Sequence, residues 1–211
     1  MKLFLSGGGG AEDSILLDKK FVEAVGKDKP LLYIPIAINT DKYPYPSCYN
    51  WINNTLNPLG ITNIEMWTEK EVWEKSEEEL QKFGGVYIGG GNTPYLLKEL
   101  KDSGFFLKLE KLIKNNIPIY GGSAGAIIFA RTIIPSLSAD ANDVGLTDFS
   151  GMNLVKGYDI WCHFTPEMDN QIMEYKNKYG LNKIAILPEN AGLYVTDDKI
   201  EEIGLGKVKY I

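Results

Sequence analysis

Short apolar runs alternate with stretches whose apolar positions recur at helical spacing. Residues 2–6 read as a buried strand that stops at Gly7-Gly8-Gly9-Gly10, and residues 12–25 then place Ile15, Leu16, Phe21, Val22 and Val25 on one helix face. Leu31-Leu32-Tyr33-Ile34-Pro35-Ile36 reads as a second strand, followed by a helix over 49–59 with Trp51, Ile52, Thr55, Leu56 and Leu59 on its apolar face. A third strand over 61–67, a glutamate-rich helix over 71–83 and a fourth strand over 85–88 come next, the last turning at Gly89-Gly90-Gly91-Asn92. Thr93-Pro94 supplies a helix cap and a first-turn proline, so a helix is expected over 95–115, which Gly104 can break. Ile117-Pro118-Ile119-Tyr120 is a fifth strand, with a helix over 123–131 directly behind it.

From Pro135 the pattern changes. A polar loop fills 136–150; a strand over 158–164, a helix over 167–179, a strand over 184–187 and hairpin strands over 192–196 and 200–211 follow. Largely apolar strands roughly 30 residues apart with helices between them predict a three-layer α/β/α sandwich around a mostly parallel sheet. With no internal repeat, low-complexity tract or linker, residues 1–211 are expected to form one domain.

Composition narrows the class. At 44% hydrophobic and 24% charged, the 211 residues match ordinary globular usage, which excludes disordered, collagenous and disulfide-scaffold readings. A net charge of −6 without any basic block argues against nucleic acid or an anionic membrane as the partner. The apolar start reaches Gly7 after too few residues for a secretory core, and no apolar run approaches a bilayer span. Cys48 and Cys162 fit no zinc or redox spacing, so a reducing cytoplasm is the expected location. Arg131 is the only arginine and His163 the only imidazole.

The glycine turns do not encode a nucleotide site. Glu12 stands where a dinucleotide fingerprint needs a small residue and its carboxylate would repel a pyrophosphate; no phosphate-loop motif occurs either. Loops at the carboxyl ends of parallel strands line the ligand crevice, so Gly8, Gly9 and Asn92, together with Gly90 and Gly91, are expected to shape a small-molecule site.

The strongest chemical signal is Gly121-Gly122-Ser123-Ala124-Gly125, a G-x-S-x-G between a buried strand and a helix. Small residues on both sides allow the sharp turn that projects a serine hydroxyl, and the N–H of Ala124 then faces the position of an oxyanion. A serine needs a base. His163 is the only histidine available, and its place after the serine agrees with the order of hydrolases built on this elbow. Asp159 lies four strand residues before it, about 13 Å away, too far to orient the ring. Asp140, Asp143 and Asp148 of the 136–150 loop, and Glu189, remain as candidates for that task.

Taken in order, Leu5-Ser6-Gly7-Gly8-Gly9, Gly89-Gly90-Gly91-Asn92-Thr93, Gly122-Ser123-Ala124-Gly125-Ala126, His163-Phe164 and Leu187-Pro188-Glu189 make the chain resemble the S51 peptidases, the group of peptidase E and the cyanophycinases. The resemblance spans nearly the full length. It implies a flavodoxin-like fold related to class I glutamine amidotransferases and a serine peptidase acting on a short, dipeptide-like substrate. By position it implies Ser123 as nucleophile, His163 as base, an oxyanion hole from Ala124 with Gly90 or Gly91, and, through the pair Asn142-Asp143, Asp143 as the acid, with Asp140 and Asn142 as alternatives. It implies no cofactor, no metal, and a monomer or homodimer. The segment Thr165-Pro166-Glu167-Met168-Asp169-Asn170-Gln171 holds no arginine, so a carboxylate-gripping guanidinium is not carried over with the rest. Two rival readings share the fold: an inactive small-metabolite binding protein, and a cyanophycinase-like or ester hydrolase.

Overall fold

The computed structural model of the chain describes residues 1–38 and 41–211. In chain order the strands are β1 (Leu3–Ser6), β2 (Leu31–Ile34), β3 (Ile64–Met66), β4 (Gly85–Ile88), β5 (Ile119–Gly122), β6 (Asp159–Trp161), β7 (Ile184–Ile186), β8 (Ala191–Val195), β9 (Ile200–Gly204) and β10 (Lys209–Tyr210). The helices are α1 (Ala11–Val25), α2 (Tyr45–Leu56), α3 (Glu69–Glu74), α4 (Glu77–Leu80), α5 (Thr93–Asp102), α6 (Phe105–Lys114), α7 (Ala124–Ile127) and α8 (Asp169–Tyr179). Seven strands form one sheet in the order β3-β2-β4-β5-β1-β8-β9, parallel from β3 to β1 and antiparallel at β8 and β9. This is the flavodoxin-like α/β/α sandwich that the alternation of apolar strands and helices predicts.

Each strand sends alternate side chains to opposite layers. Leu3, Leu5, Leu32, Ile34, Val86, Ile88 and Ile119 pack against α3 to α7 on one side. On the other, Phe4, Tyr33, Tyr87 and Tyr120 meet the apolar faces of α1 and α2. Register aligns these rings into a row across the sheet: Tyr33 opposite Tyr87, Tyr87 opposite Tyr120, Tyr120 opposite Phe4, and Phe4 opposite Tyr194. Tyr87 and Tyr120 stack with centroids 4.3 Å apart, and Phe21 of α1 meets Tyr120 edge-on at 5.3 Å.

Beneath this row α1 buries a carboxyl group. Asp18 is 1% exposed and accepts a hydrogen bond from Ser14 Oγ at 2.9 Å. Burial pushes it up to about 6 against the pull of the Tyr120 and Ser14 hydroxyls. The folded chain therefore holds this proton more tightly than the unfolded one, and the stability it contributes at low pH is lost as pH rises from about 4 through about 6. Asp18→Asn is expected to stabilise the fold by on the order of 1–3 kcal/mol at pH 7.5, with the gap shrinking by about 1 kcal/mol at pH 5. Urea unfolding at the two pH values checks this; an equal gap at both would remove Asp18 as the titrating group.

The sequence expectations change at two helices and at the later strands. The helix expected over 71–83 is two, because Lys75 is extended and Ser76 caps α4 by accepting from Glu79 N. The break expected at Gly104 is present: at φ 71° it separates α5 from α6. The helix expected over 123–131 ends after Ile127, because the carbonyls of residues 128–131 are taken by the amides of Gly151, Met152, Asn153 and Leu154. The strands expected over 158–164 and 184–187 do not enter the main sheet. They form β6 and β7 of a second sheet of order β10-β7-β6, so β10 leaves the hairpin to pair with β7. Trp161, Ile184 and Ile186 of that sheet pack on Ile172 of α8.

Candidate active site

The turn that carries Ser123 is built by close backbone approach. Gly121 and Gly125 face one another so tightly that a Cβ on Gly121 would lie 2.2 Å from the Gly125 carbonyl oxygen, and one on Gly125 would lie 2.3 Å from that of Ile88. Between them Ser123 adopts φ 50° and ψ −110°, a conformation costly for a residue with a side chain. The strain is held in place by hydrogen bonds: Ser123 N donates to Ser6 O at 3.2 Å, and its carbonyl accepts from Ala126 N and Ile127 N. The outcome is a hydroxyl displayed beyond the end of β5.

The second sheet delivers the imidazole. His163 lies two residues past β6, in the left-handed region at φ 55°; its amide donates to Gly7 O at 2.9 Å, and that of Phe164 to Leu187 O at 3.1 Å. The ring is thereby fixed between the carboxyl end of β1 and the end of β7. Gly8 makes room for it: at φ 106°, a Cβ there would stand 2.3 Å from His163 Cε1. A Cβ on Gly9 would meet Asp13 and the Glu189 carbonyl oxygen at 2.5 and 2.7 Å. Gly8 and Gly9, expected at the substrate, thus let the histidine and the Glu189 loop close on β1.

Ser123 Oγ lies 2.8 Å from His163 Nε2, and His163 Nδ1 lies 2.8 Å from Glu189 Oε1. A carboxylate can only accept, so Nδ1 carries the proton in this arrangement and Nε2 is free to accept from the serine. Glu189 follows β7 in the segment that also pairs with β1, which brings it beside a histidine 26 residues away. Asp143, the acid expected from the resemblance, is not bonded to His163. It is exposed and lines a separate cavity of about 650 Å³ with Glu69 and Tyr95. The alternatives from the same loop are engaged elsewhere. Asp140 accepts from Thr93 N and Oγ1 at the start of α5, and Asn142 spans Leu146 with both ends of its amide. Glu189 was legible as a candidate by elimination, but nothing in its local sequence ranked it above three loop aspartates.

Asn92, expected at the substrate, uses both ends of its amide inside the fold. Its oxygen accepts from Tyr95 N at 2.9 Å as the cap of α5, and its nitrogen donates to Ala141 O at 2.8 Å. Gly90 approaches the serine itself, with a would-be Cβ 3.2 Å from Ser123 Cβ. The amides of Gly90, Gly91 and Ala124 have no backbone acceptor among the described residues, which leaves three donors in the turns after β4 and β5. Cys162 is buried beneath the turn, and burial pushes its thiol far above the ordinary range, so it stays protonated.

Arg131 is spoken for. Its Nη2 donates to Asp159 Oδ2 at 2.6 Å, and Asp159, fully buried, also accepts from Thr132 N. Burial leaves the Asp159 carboxyl above its ordinary value despite the pull of Arg131. The only guanidinium of the chain therefore ties the segment after α7 to β6, the strand that leads to His163.

Two cavities meet at Ser123. One, of about 490 Å³, is bounded by Tyr33, Tyr43, Trp51 and Tyr87. The other, of about 430 Å³, contains His163, Ser136, Asp140 and Gln171. Among the described residues no cluster of three or more histidine, cysteine, aspartate or glutamate side chains is arranged to hold a metal, and no helix is long and apolar enough to cross a membrane.

The model of peptidase family S51 matches residues 3–203. Among individual proteins, an uncharacterized peptidase of Listeria monocytogenes is 35% identical over 130 residues, 60% of this chain and 62% of its own length. Peptidase E of Nostoc sp. is 26% identical over 185 residues, 83% of this chain and 73% of that protein. A shorter match, 37% over 59 residues, is to the pyridoxal 5'-phosphate synthase subunit PdxT of Fervidobacterium nodosum, 28% of this chain and 31% of that subunit. The chain thus spans less than two thirds of the length of the PdxT subunit and of the Listeria peptidase. A crystal structure of a protein assigned as peptidase E from Listeria monocytogenes superposes with a TM-score of 0.78 at 22% identity, over 97% of this chain and 98% of that one. A peptidase from an acI-B1 actinobacterium superposes at 0.70 with 18% identity, covering 98% and 88%. At these identities the two structures speak for the fold.

Proposed function

Since the chain belongs to peptidase family S51, we propose that it hydrolyses a short peptide through an acyl-enzyme on Ser123, with His163 as general base and acid and Glu189 as the carboxylate that orients it. The observation that carries this reading is the continuous line of two 2.8 Å contacts from Ser123 Oγ through the imidazole to Glu189 Oε1. As Oγ attacks the scissile carbonyl carbon, its proton passes to Nε2, and the imidazolium that forms is stabilised by the Glu189 carboxylate on Nδ1. The carbonyl oxygen, now an oxyanion, is received by backbone N–H groups of Ala124 and of Gly90 or Gly91. His163 then returns the proton to the leaving amine, the C–N bond breaks, and a water activated by the same Nε2 releases the acid and restores the serine. A short substrate is favoured because the two spaces that meet at Ser123 have volumes of about 490 and 430 Å³, within the range of small-molecule sites.

A binding protein without catalysis draws its support from the missing substrate arginine and from the acid left ambiguous by sequence. The 2.8 Å contact of Glu189 with Nδ1 speaks against the second of these. Treatment with a fluorophosphonate separates the readings. The expected result is one covalent adduct on Ser123, located by mass spectrometry of the digested protein, and its loss in His163→Ala, because a serine without its base does not react. An unlabelled Ser123 in the wild-type chain would overturn the peptidase mechanism.

A further inference from the structure

Resting on that mechanism, we infer that the residue supplying the scissile carbonyl carries an aromatic or large aliphatic side chain, not an acidic one, and that Trp51 and Tyr43 are the residues that select it. The cavity of about 490 Å³ starts at Ser123 and Gly90 and runs over the ends of β2 and β4. Its floor is the end of the aromatic row. Tyr33 and Tyr87 meet edge to face at 5.7 Å, and Trp51 of α2 closes on them at 6.5 and 6.1 Å. Both phenols are buried, and burial holds each well above its ordinary value, so this wall stays neutral.

Two further observations point to a ligand. Trp51 is 39% exposed and Tyr43 45%, although the pattern of α2 places Trp51 with the core residues Ile52 and Leu56. Aromatic surface left to water in a concave wall beside a nucleophile gains by being covered. Moreover, no charged side chain lines this cavity among the described residues: Pro35, Ile38, Cys48, the hydroxyls of Ser6 and Ser47, and glycines complete it. Lys42 stands at its margin, its Nζ 5.0 Å from the Tyr43 ring centroid, and Arg131 is paired with Asp159. A substrate carboxylate placed against this wall would lose its hydration without gaining a charged partner in it, whereas an aromatic ring would stack or meet edges on three rings.

The position of the histidine decides which side of the scissile bond this is. The leaving amine must reach Nε2 to collect its proton, and His163 lines the second cavity, with Gln171 and Ser136. The acyl part consequently lies on the aromatic side.

Diphenyl α-aminophosphonates test this directly, because they modify the serine in the position of the acyl group and differ only in the side chain they carry. The full chain is treated with the benzyl, isobutyl and carboxymethyl compounds, and the rate of Ser123 modification is followed by intact mass. The benzyl and isobutyl compounds are expected to react roughly 10²-fold faster than the carboxymethyl one. In Trp51→Ala the benzyl-to-carboxymethyl ratio is expected to fall by about tenfold or more, and Tyr43→Ala to reduce it in the same direction. Tyr43→Ala, a change at a half-exposed side chain, carries the test should Trp51→Ala fail to fold. A carboxymethyl compound that reacts as fast as the benzyl one, or a ratio unmoved by both substitutions, would overturn the assignment. Failure of the mechanism itself looks different, since Ser123 would then resist the fluorophosphonate as well.

Discussion

Ser123→Ala and His163→Ala are each expected to lower kcat for the best substrate in a panel of aminoacyl p-nitroanilides by about 10⁶-fold, with the double variant no worse than either single one. The reason is that the two groups act as a unit. Without the hydroxyl there is nothing for Nε2 to deprotonate, and without the imidazole the serine keeps its proton. The contact between them is 2.8 Å. His163 is the only histidine in the sequence, so no neighbouring imidazole can substitute. Circular dichroism and thermal unfolding would establish that both variants fold, which is expected because the His163 side chain is 45% accessible and Ser123 is half-buried. Retention of more than a small fraction of turnover in either variant would end the serine mechanism.

Glu189→Gln is expected to cost about 10²- to 10⁴-fold in kcat with a much smaller change in KM. A glutamine amide can donate to Nδ1, which places the imidazole proton on Nε2 and leaves the serine without an acceptor. The lower end of the range reflects exposure: the His163 and Glu189 side chains are 45% and 57% accessible, so water screens part of what the carboxylate contributes. Asp143→Asn supplies the contrast, because this exposed residue lies in a different cavity, and its activity is expected to stay within about twofold of wild type. The opposite pair of results, a large loss at Asp143 and none at Glu189, would return the acid to the 136–150 loop.

The two carboxylates illustrate where reading the chain stops. The serine is legible because its requirement is local: the glycines and alanine around Ser123 encode a turn, and strand and helix patterns on either side place it. His163 is legible by scarcity. The acid is a matter of which loop comes near the imidazole once β6 and β7 have left the main sheet, and no periodicity reports that departure. The Asn142-Asp143 pair, put forward by the resemblance, is not bonded to the imidazole for the same reason: its loop is tied to the start of α5 by Asp140 on Thr93 and by Asn92 on Ala141. Trp51 carries a similar lesson. Helical spacing assigns it to the core, but α2 begins at Tyr45, four residues before the expected start at Tyr49, and ends at Leu56, and its packing leaves the ring half in the cavity.

What the sequence by itself determined about this protein is the layering and the place of Ser123 at the turn between β5 and α7. Apolar runs spaced by amphipathic helices have few ways to bury their surface other than a parallel sheet covered on both sides, and a glycine-flanked serine between strand and helix encodes its own exposure. Only the tertiary structure decided the partner of His163, the employment of Arg131 on Asp159, and the alignment of Tyr33, Tyr87 and Trp51 into one wall. Those facts rest on contacts between residues 26 to 28 positions apart or more along the chain, or on separate strands and helices, and such contacts are fixed by register and packing after the elements form rather than by the spacing within any one of them.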